Sequence, residues 1–152
     1  MGPEARLREL GIDLPTVAAP VASYIPVSVA GGLAFVAGQV PLEDGKPMVT
    51  GRLGADLVTE EGARWARRCA LQALAALRAE LGSLDSVAGI AKVTVWVAST
   101  DDFTEQPRVA NGASDLLVEV FGDAGKHARA AVSAPVLPLG VPVEVELIAE
   151  LG

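Results

Sequence analysis

The chain is predicted to fold as a two-layer α+β domain, with two helices packed on one face of a sheet. Three observations carry this expectation. The elements read β-β-α-β-α-β-β after a short helical preface, an order suited to helices on one side of a sheet. The stretch from Thr59 repeats its apolar residues at helical steps, whereas Ile90 to Ala98 and Val143 to Leu147 alternate with period two. The 152 residues are 51% hydrophobic, enough for one domain with a substantial core.

Taken in order, Glu4 to Leu10 reads as a short helix stopped by Gly11, with Pro15 beyond it. Ala22 to Val29 and Leu33 to Val40 read as two strands of a hairpin, turned at Gly31-Gly32. Pro41 to Gly54 holds Asp44-Gly45, Pro47 and two further glycines, and reads as a loop. The first long helix starts at Thr59, with Glu60 and Glu61 complementing its N-terminal dipole. Ala66, Cys69, Ala70, Ala73, Leu74, Leu77 and Leu81 form its apolar stripe, and Gly82 ends it. Ile90 to Ala98 is a strand, and Asp101-Asp102 is expected to cap the helix that follows. That helix runs from Thr104, or from just after Pro107, to Phe121, closed by Gly122 and Gly125. Ala128 to Val136 and Val141 to Leu151 are the last strands, joined through Leu137-Pro138-Leu139-Gly140. The expectation is a single domain over 1–152, with 1–19 as an N-terminal helical extension. Because the last strands are apolar at many positions, the sheet face away from the helices also needs cover, and oligomerisation supplies it most simply.

Composition narrows the function classes. Aromatic residues make up only 4%, so Ala and Val carry much of the core, which suits close helix-on-sheet packing. A net charge of -7 repels nucleic acid on average. No apolar run is long enough to span a membrane and no secretory leader pattern is present, so a cytoplasmic protein is expected. Cys69 is the only cysteine and His127 the only histidine, so neither a disulfide nor a His/Cys metal site is expected. No glycine-rich phosphate loop of Walker or Rossmann spacing occurs.

The candidate chemistry gathers toward the C-terminus. Arg129 lies among Ala128, Ala130, Ala131 and Val132. It reads either as a strand-edge arginine whose head reaches water or as an anchor gripping a small carboxylate through paired hydrogen bonds. Glu144 and Glu146 alternate with valines and share one strand face. They read as a solvated face or as one carboxylate turned to a pocket to handle a proton or a water, and spacing does not choose between them. Gly38 ends an apolar strand, as punctuation or as a point of close backbone approach. Tyr24, the only tyrosine, reads as a core filler or a pocket wall. Asn111-Gly112 falls inside the second helix, where both residues are poor formers, and reads as a kink, a late helix start, or a polar group offered to a ligand. Cys69 reads as a small core side chain. Ser114 and Ser133 lack a recognisable histidine or lysine arrangement for a triad, and the neighbouring arginine disfavours a charged His127.

Together these segments resemble the RidA/YjgF family, the reactive-intermediate deaminases also called L-PSP endoribonuclease-like. Phe35-Val36-Ala37-Gly38-Gln39-Val40-Pro41 is similar to the family's SGQ strand, with Ala37 in place of serine. Val93-Thr94-Val95-Trp96-Val97, followed by Asp102-Phe103, is similar to its third strand and following helix start. Ala128-Arg129-Ala130-Ala131-Val132, Leu137-Pro138 and Val143-Glu144-Val145-Glu146-Leu147-Ile148-Ala149 resemble its C-terminal signature. The resemblance covers Tyr24 to the end. The chain departs from the pattern at Ala131, where cysteine is frequent, at His127, where proline is usual, in a longer Phe103–Phe121 stretch, and in the additional preface Met1 to Ala19.

What the resemblance implies is a chorismate-mutase-like fold, a homotrimer, and pockets at subunit interfaces. It implies hydrolysis of reactive 2-imino or enamine acids to a 2-keto acid and ammonia, without metal or organic cofactor. Arg129 would hold the substrate carboxylate and Glu144 would position water. Tyr24, Gly38, Ala131 and Asn111 would line the pocket. The expected partners are a small imino or keto acid and further copies of the chain, with no nucleic acid and no membrane. A non-catalytic carboxylate-binding protein is the first alternative, and an endoribonuclease the second.

Overall fold

A computed structural model of the chain describes residues 1–17 and 22–152. The end of the expected N-terminal extension, Ala18 and Ala19, lies outside the described residues. The elements are α1 (Pro3–Leu10), β1 (Val27–Ala30), β2 (Leu33–Gln39), β3 (Leu42–Glu43), β4 (Lys46–Pro47), α2 (Thr59–Leu81), β5 (Val87–Ala98), α3 (Gln106–Phe121), β6 (Ala128–Ala134) and β7 (Val143–Leu151).

Five strands form one mixed sheet in the order β1-β2-β7-β5-β6. Every pairing is antiparallel except β5 with β6, which are parallel and joined through α3. A parallel pair needs such a crossover, because its strands must start at the same edge. The expected α+β architecture is therefore found, with α2 and α3 on the same side of the sheet.

Period-two alternation decides what each strand buries. On β5, Val93, Val95 and Val97 are fully buried, as are Val143, Val145 and Ala149 on β7. Ala34 and Val36 of β2 join them. Against this face pack the predicted α2 stripe, Ala66 to Leu77, and Val109, Ala110, Ala113, Leu116, Leu117 and Val120 of α3. The small residues allow very close approach. A Cβ placed on Gly112 would lie 1.8 Å from the Ala63 carbonyl oxygen. Gly112 thus sits mid-helix because α2 touches α3 there, not because the helix breaks or starts at Asn111, and α3 runs through both residues.

Several boundaries differ from expectation. The first strand begins at Val27 rather than Ala22. The loop after β2 contains the short β3–β4 hairpin. Asp101-Asp102 does not cap α3: Thr100 donates to Asp102 at 2.7 Å, and the helix starts after Glu105 with Pro107 in its first turn. The α2 cap is Val58, whose N–H is received by Glu61 at 3.1 Å. Helix α1 ends at Gly11, which adopts a left-handed conformation (φ 68°). It is tied to the rest: Leu7 is buried, and Glu4 receives Arg78 at 3.0 Å and the Leu84 N–H at 2.9 Å.

Candidate active site

The edge strand β6 carries Arg129 level with Val93, and Ala131 level with Val95. Both therefore face the helix layer, because laterally paired residues share a face. There the Arg129 Nη1 donates to Asn111 Oδ1 at 2.8 Å and to Ser114 Oγ at 3.2 Å. Asn111 and Ser114 are three residues apart on α3 and so lie on one helix side. The Nε and Nη2 of Arg129 have no partner among the described residues. One edge of the guanidinium is thus held in place, and the other, carrying two parallel donors, stays open for a bidentate acceptor.

Ser114 continues the chain of bonds. Its Oγ lies 2.9 Å from His127 Nε2, and His127 Nδ1 lies 2.6 Å from the Gly125 carbonyl oxygen. A carbonyl only accepts, so Nδ1 carries a hydrogen. A guanidinium only donates, so Ser114 accepts from Arg129. In neutral His127 the bare Nε2 then receives the Ser114 hydroxyl proton. Gly125 itself packs tightly against α3, since a Cβ on that glycine would sit 2.2 Å from Leu117 O. No triad is formed at Ser114, as the sequence implies, but the crossover does bring His127, thirteen residues away, onto its hydroxyl. A usable signal was present, because His127 and Arg129 are two apart on a strand and so share a face.

Glu144 and Glu146 point the other way. Glu144 pairs laterally with Trp96 and Glu146 with Thr94, on the face without helices. The two differ in surroundings. Trp96 Nε1 donates to Glu146 Oε1 at 3.3 Å. Glu144 instead lies against the β2 backbone where the β2–β7 register shifts between Val36 and Gln39. A Cβ on Gly38 would be 2.0 Å from Glu144 Oε2, so this glycine makes room for the carboxylate. Burial, with a further contribution from Glu146, pushes the Glu144 carboxyl above the usual range.

The same face exposes Phe35 and Trp96, and Val132 lies level with Trp96. Tyr24 is 57% exposed, which excludes the core-filler reading. Cys69 is fully buried, and burial, then the Glu144 charge, pushes its thiol far up. Among the described residues no group of His, Cys, Asp and Glu could hold a metal ion. Among the described residues no helix is long and apolar enough to cross a membrane.

Of the sequence candidates, the structure brings Arg129, Asn111 and Ala131 to the helix side. It brings Glu144 and Gly38 together on the open side. It does not bring the two groups together within one chain.

Comparison with known proteins bears on the family and the fold. Residues 4–151 match the family described as "YjgF/chorismate mutase-like, putative endoribonuclease". Protein TCP17 of Trypanosoma cruzi is 47% identical over 149 residues, covering 97% of this chain and 93% of that protein. The crystal structure of Atu1372 from Agrobacterium tumefaciens, a protein of unknown function, superposes with a TM-score of 0.90 at 42% identity, covering 99% of this chain and 92% of that one. That of a Shewanella oneidensis protein described as a putative endoribonuclease gives 0.93 at 38% identity, covering 99% and 100%. On the family match and these relatives, the chain belongs to the YjgF/RidA family, in a divergent subgroup with TCP17 and Atu1372.

Proposed function

We propose that the protein hydrolyses reactive 2-imino or enamine acids to 2-keto acids and ammonia. The observation that carries this reading is Arg129, fixed on one edge by Asn111 and Ser114 and open on the other. Such a preorganised fork binds a carboxylate without ordering a floppy side chain at the moment of binding. An iminium carbon is already electrophilic, so holding it beside a positioned water supplies much of the rate enhancement. Glu144, with its raised proton affinity, is suited to orient and deprotonate that water.

The water-handling carboxylate, Glu144, belongs to a neighbouring copy in this reading. The open sheet face exposes Phe35 and Trp96 beside Glu144 and Glu146, the composition of a surface meant to be covered. A homotrimer in which β6 of one subunit borders the open face of the next puts Arg129 and Glu144 on opposite walls of one cleft. Tyr24 and Ala131 would complete those walls.

The test is to generate an imino acid in situ with an amino-acid oxidase and follow its loss. Acceleration that disappears in Arg129→Ala supports the reading, and no acceleration with any of several imino acids rejects it. Non-catalytic carboxylate binding is the second reading, favoured by the placement of Arg129 and Glu144 on opposite faces. Keto-acid binding that requires Arg129, without turnover of any imine, would establish it. RNA cleavage has less support, since the net charge is -7.

A further inference from the structure

An extra residue in β2 gives Glu144 its seat. Val36 pairs with Leu147 and Gln39 with Val145, so Ala37 and Gly38 together stand against Glu146 alone. This is a β-bulge, which bends a strand and re-aims side chains next to it. Here it sets Gly38, which has no Cβ, against the Glu144 carboxylate. We infer that Gln72 of α2 is a positioning residue for Glu144, because it braces this bulge from the helix side. In the deaminase reading above, on which this rests, Glu144 handles the water.

The hydrogen bonds run in one direction from α2 to the bulge. A guanidinium only donates, and Arg68 Nε reaches Gln72 Oε1 at 3.0 Å, while Arg68 Nη2 reaches the Leu42 carbonyl at 3.3 Å. With its oxygen held by Arg68, the Gln72 amide turns its NH2 toward β2. There Gln72 Nε2 donates to the Val40 carbonyl at 2.7 Å and makes a longer contact, 3.5 Å, with Gln39 Oε1. Gln39 is level with Val145 and so faces the helix layer. Its Nε2 donates back to the Ala37 carbonyl at 3.0 Å, across Gly38. The Ala37 N–H donates to the Pro26 carbonyl at 2.9 Å. Both backbone groups of Ala37 are therefore satisfied outside the β2–β7 ladder, as an inserted residue requires.

The brace matters because a bulge is defined by register. A slip of one residue along β2 would bring Ala37 or Gln39, each with a Cβ, to the place Gly38 now holds, and would turn their side chains to the opposite face. The carboxylate would lose its seat. Gln72 lies on the helix side of the sheet and Glu144 on the open side, so Gln72 acts on Glu144 only through β2.

Three variants of the full chain test this. Gln72→Met keeps the side-chain length and removes the amide, and Gln39→Met does the same to the second link. Gln72→Glu keeps the acceptor for Arg68 but turns a second acceptor on the Val40 carbonyl, so a residue needed only as a partner for Arg68 would tolerate it. Each is compared with wild type for imine loss, for binding of pyruvate by titration, and for melting temperature. The positioning role requires kcat to fall about tenfold in all three. It also requires KM and pyruvate affinity to stay within about threefold, since the Arg129 anchor is untouched.

An active wild type whose variants keep kcat overturns the positioning role and leaves the deaminase reading standing. A kcat loss matched by an equal loss of pyruvate affinity overturns it too, because the amides then support the pocket as a whole. So does a kcat loss that disappears on cooling well below the variant's melting temperature, because the amides then serve only the fold. A wild type inactive toward every imino acid overturns the deaminase reading, and the positioning role with it.

Discussion

Arg129 and Glu144 of one chain lie on opposite faces of the same sheet, with β5 between their strands. Arg129 is level with Val93, whose side chain is in the helix-covered core, and Glu144 is level with Trp96 on the open face. Adjacent strands are about 4.8 Å apart, so two inter-strand spacings and a sheet thickness separate the groups. A small substrate bound to both must therefore lie between two copies. Arg129→Ala and Glu144→Gln chains, each inactive alone, should then complement each other when refolded together. In randomly mixed trimers about a quarter of the interfacial sites regain both groups. A refolded mixture no more active than its components would contradict the shared site.

Gly38 should report on Glu144 without disturbing the fold. A Cβ there meets the end of a flexible side chain, Oε2 at 2.0 Å, which can swing away. Gly38→Ala is expected to lower imine turnover by about tenfold or more through misplacement of the carboxylate, with little change in melting temperature. Thermal melts beside steady-state kinetics check both halves.

Glu144 also sets a pH dependence. Its folded-state proton affinity is raised, by burial first and Glu146 second. The folded chain therefore favours the protonated form, and the associated stability is present below the ordinary carboxylate range and lost as pH rises through the raised value. Glu144→Gln should melt higher than wild type at neutral pH, with the difference vanishing below about pH 4. Melting temperatures measured from pH 3 to pH 8 would show it. A variant that melts lower at neutral pH would refute the burial account.

Much of the fold was legible in the chain. The α2 stripe, the alternation of β5 and β7, and the Gly31-Gly32 turn all express local periodicity or backbone geometry, which a sequence carries openly. The Gly112 position was not legible. Its cause is the backbone of Ala63 on another helix, and no local pattern encodes that contact. The candidate site was half legible for the same reason. Arg129, Glu144 and Gly38 were found as strand features within a resemblance. The Ser114–His127 contact, by contrast, is made by the α3 crossover. Which face each carboxylate takes required the register across three strands.

Gly112→Ala separates packing from function. The added Cβ would meet a backbone oxygen at 1.8 Å, which cannot rotate away. Overpacking of this kind costs about 1–3 kcal/mol, against a gain of roughly 1 kcal/mol from the better helix former. The net expectation is a lower midpoint in denaturant titration, and an unchanged or higher midpoint would show that the helices can part freely.

The native Cys69 thiol should resist modification. It is fully buried and its ionisation is strongly disfavoured. Reaction with a thiol-specific disulfide reagent is expected to be slow in buffer and fast in denaturant. Equal rates in the two would show that the interior of α2 opens readily.

The most direct measurement is the rate of imino-acid loss with wild-type protein against Arg129→Lys and Arg129→Ala at matched concentration. The carboxylate-anchor account expects a clear acceleration by wild type. It also expects a loss of kcat/KM of about 100-fold or more in Arg129→Ala, and only partial recovery in Arg129→Lys, because lysine cannot reproduce the two-pronged grip. Arg129→Ala hydrolysing the imine as fast as wild type would contradict it.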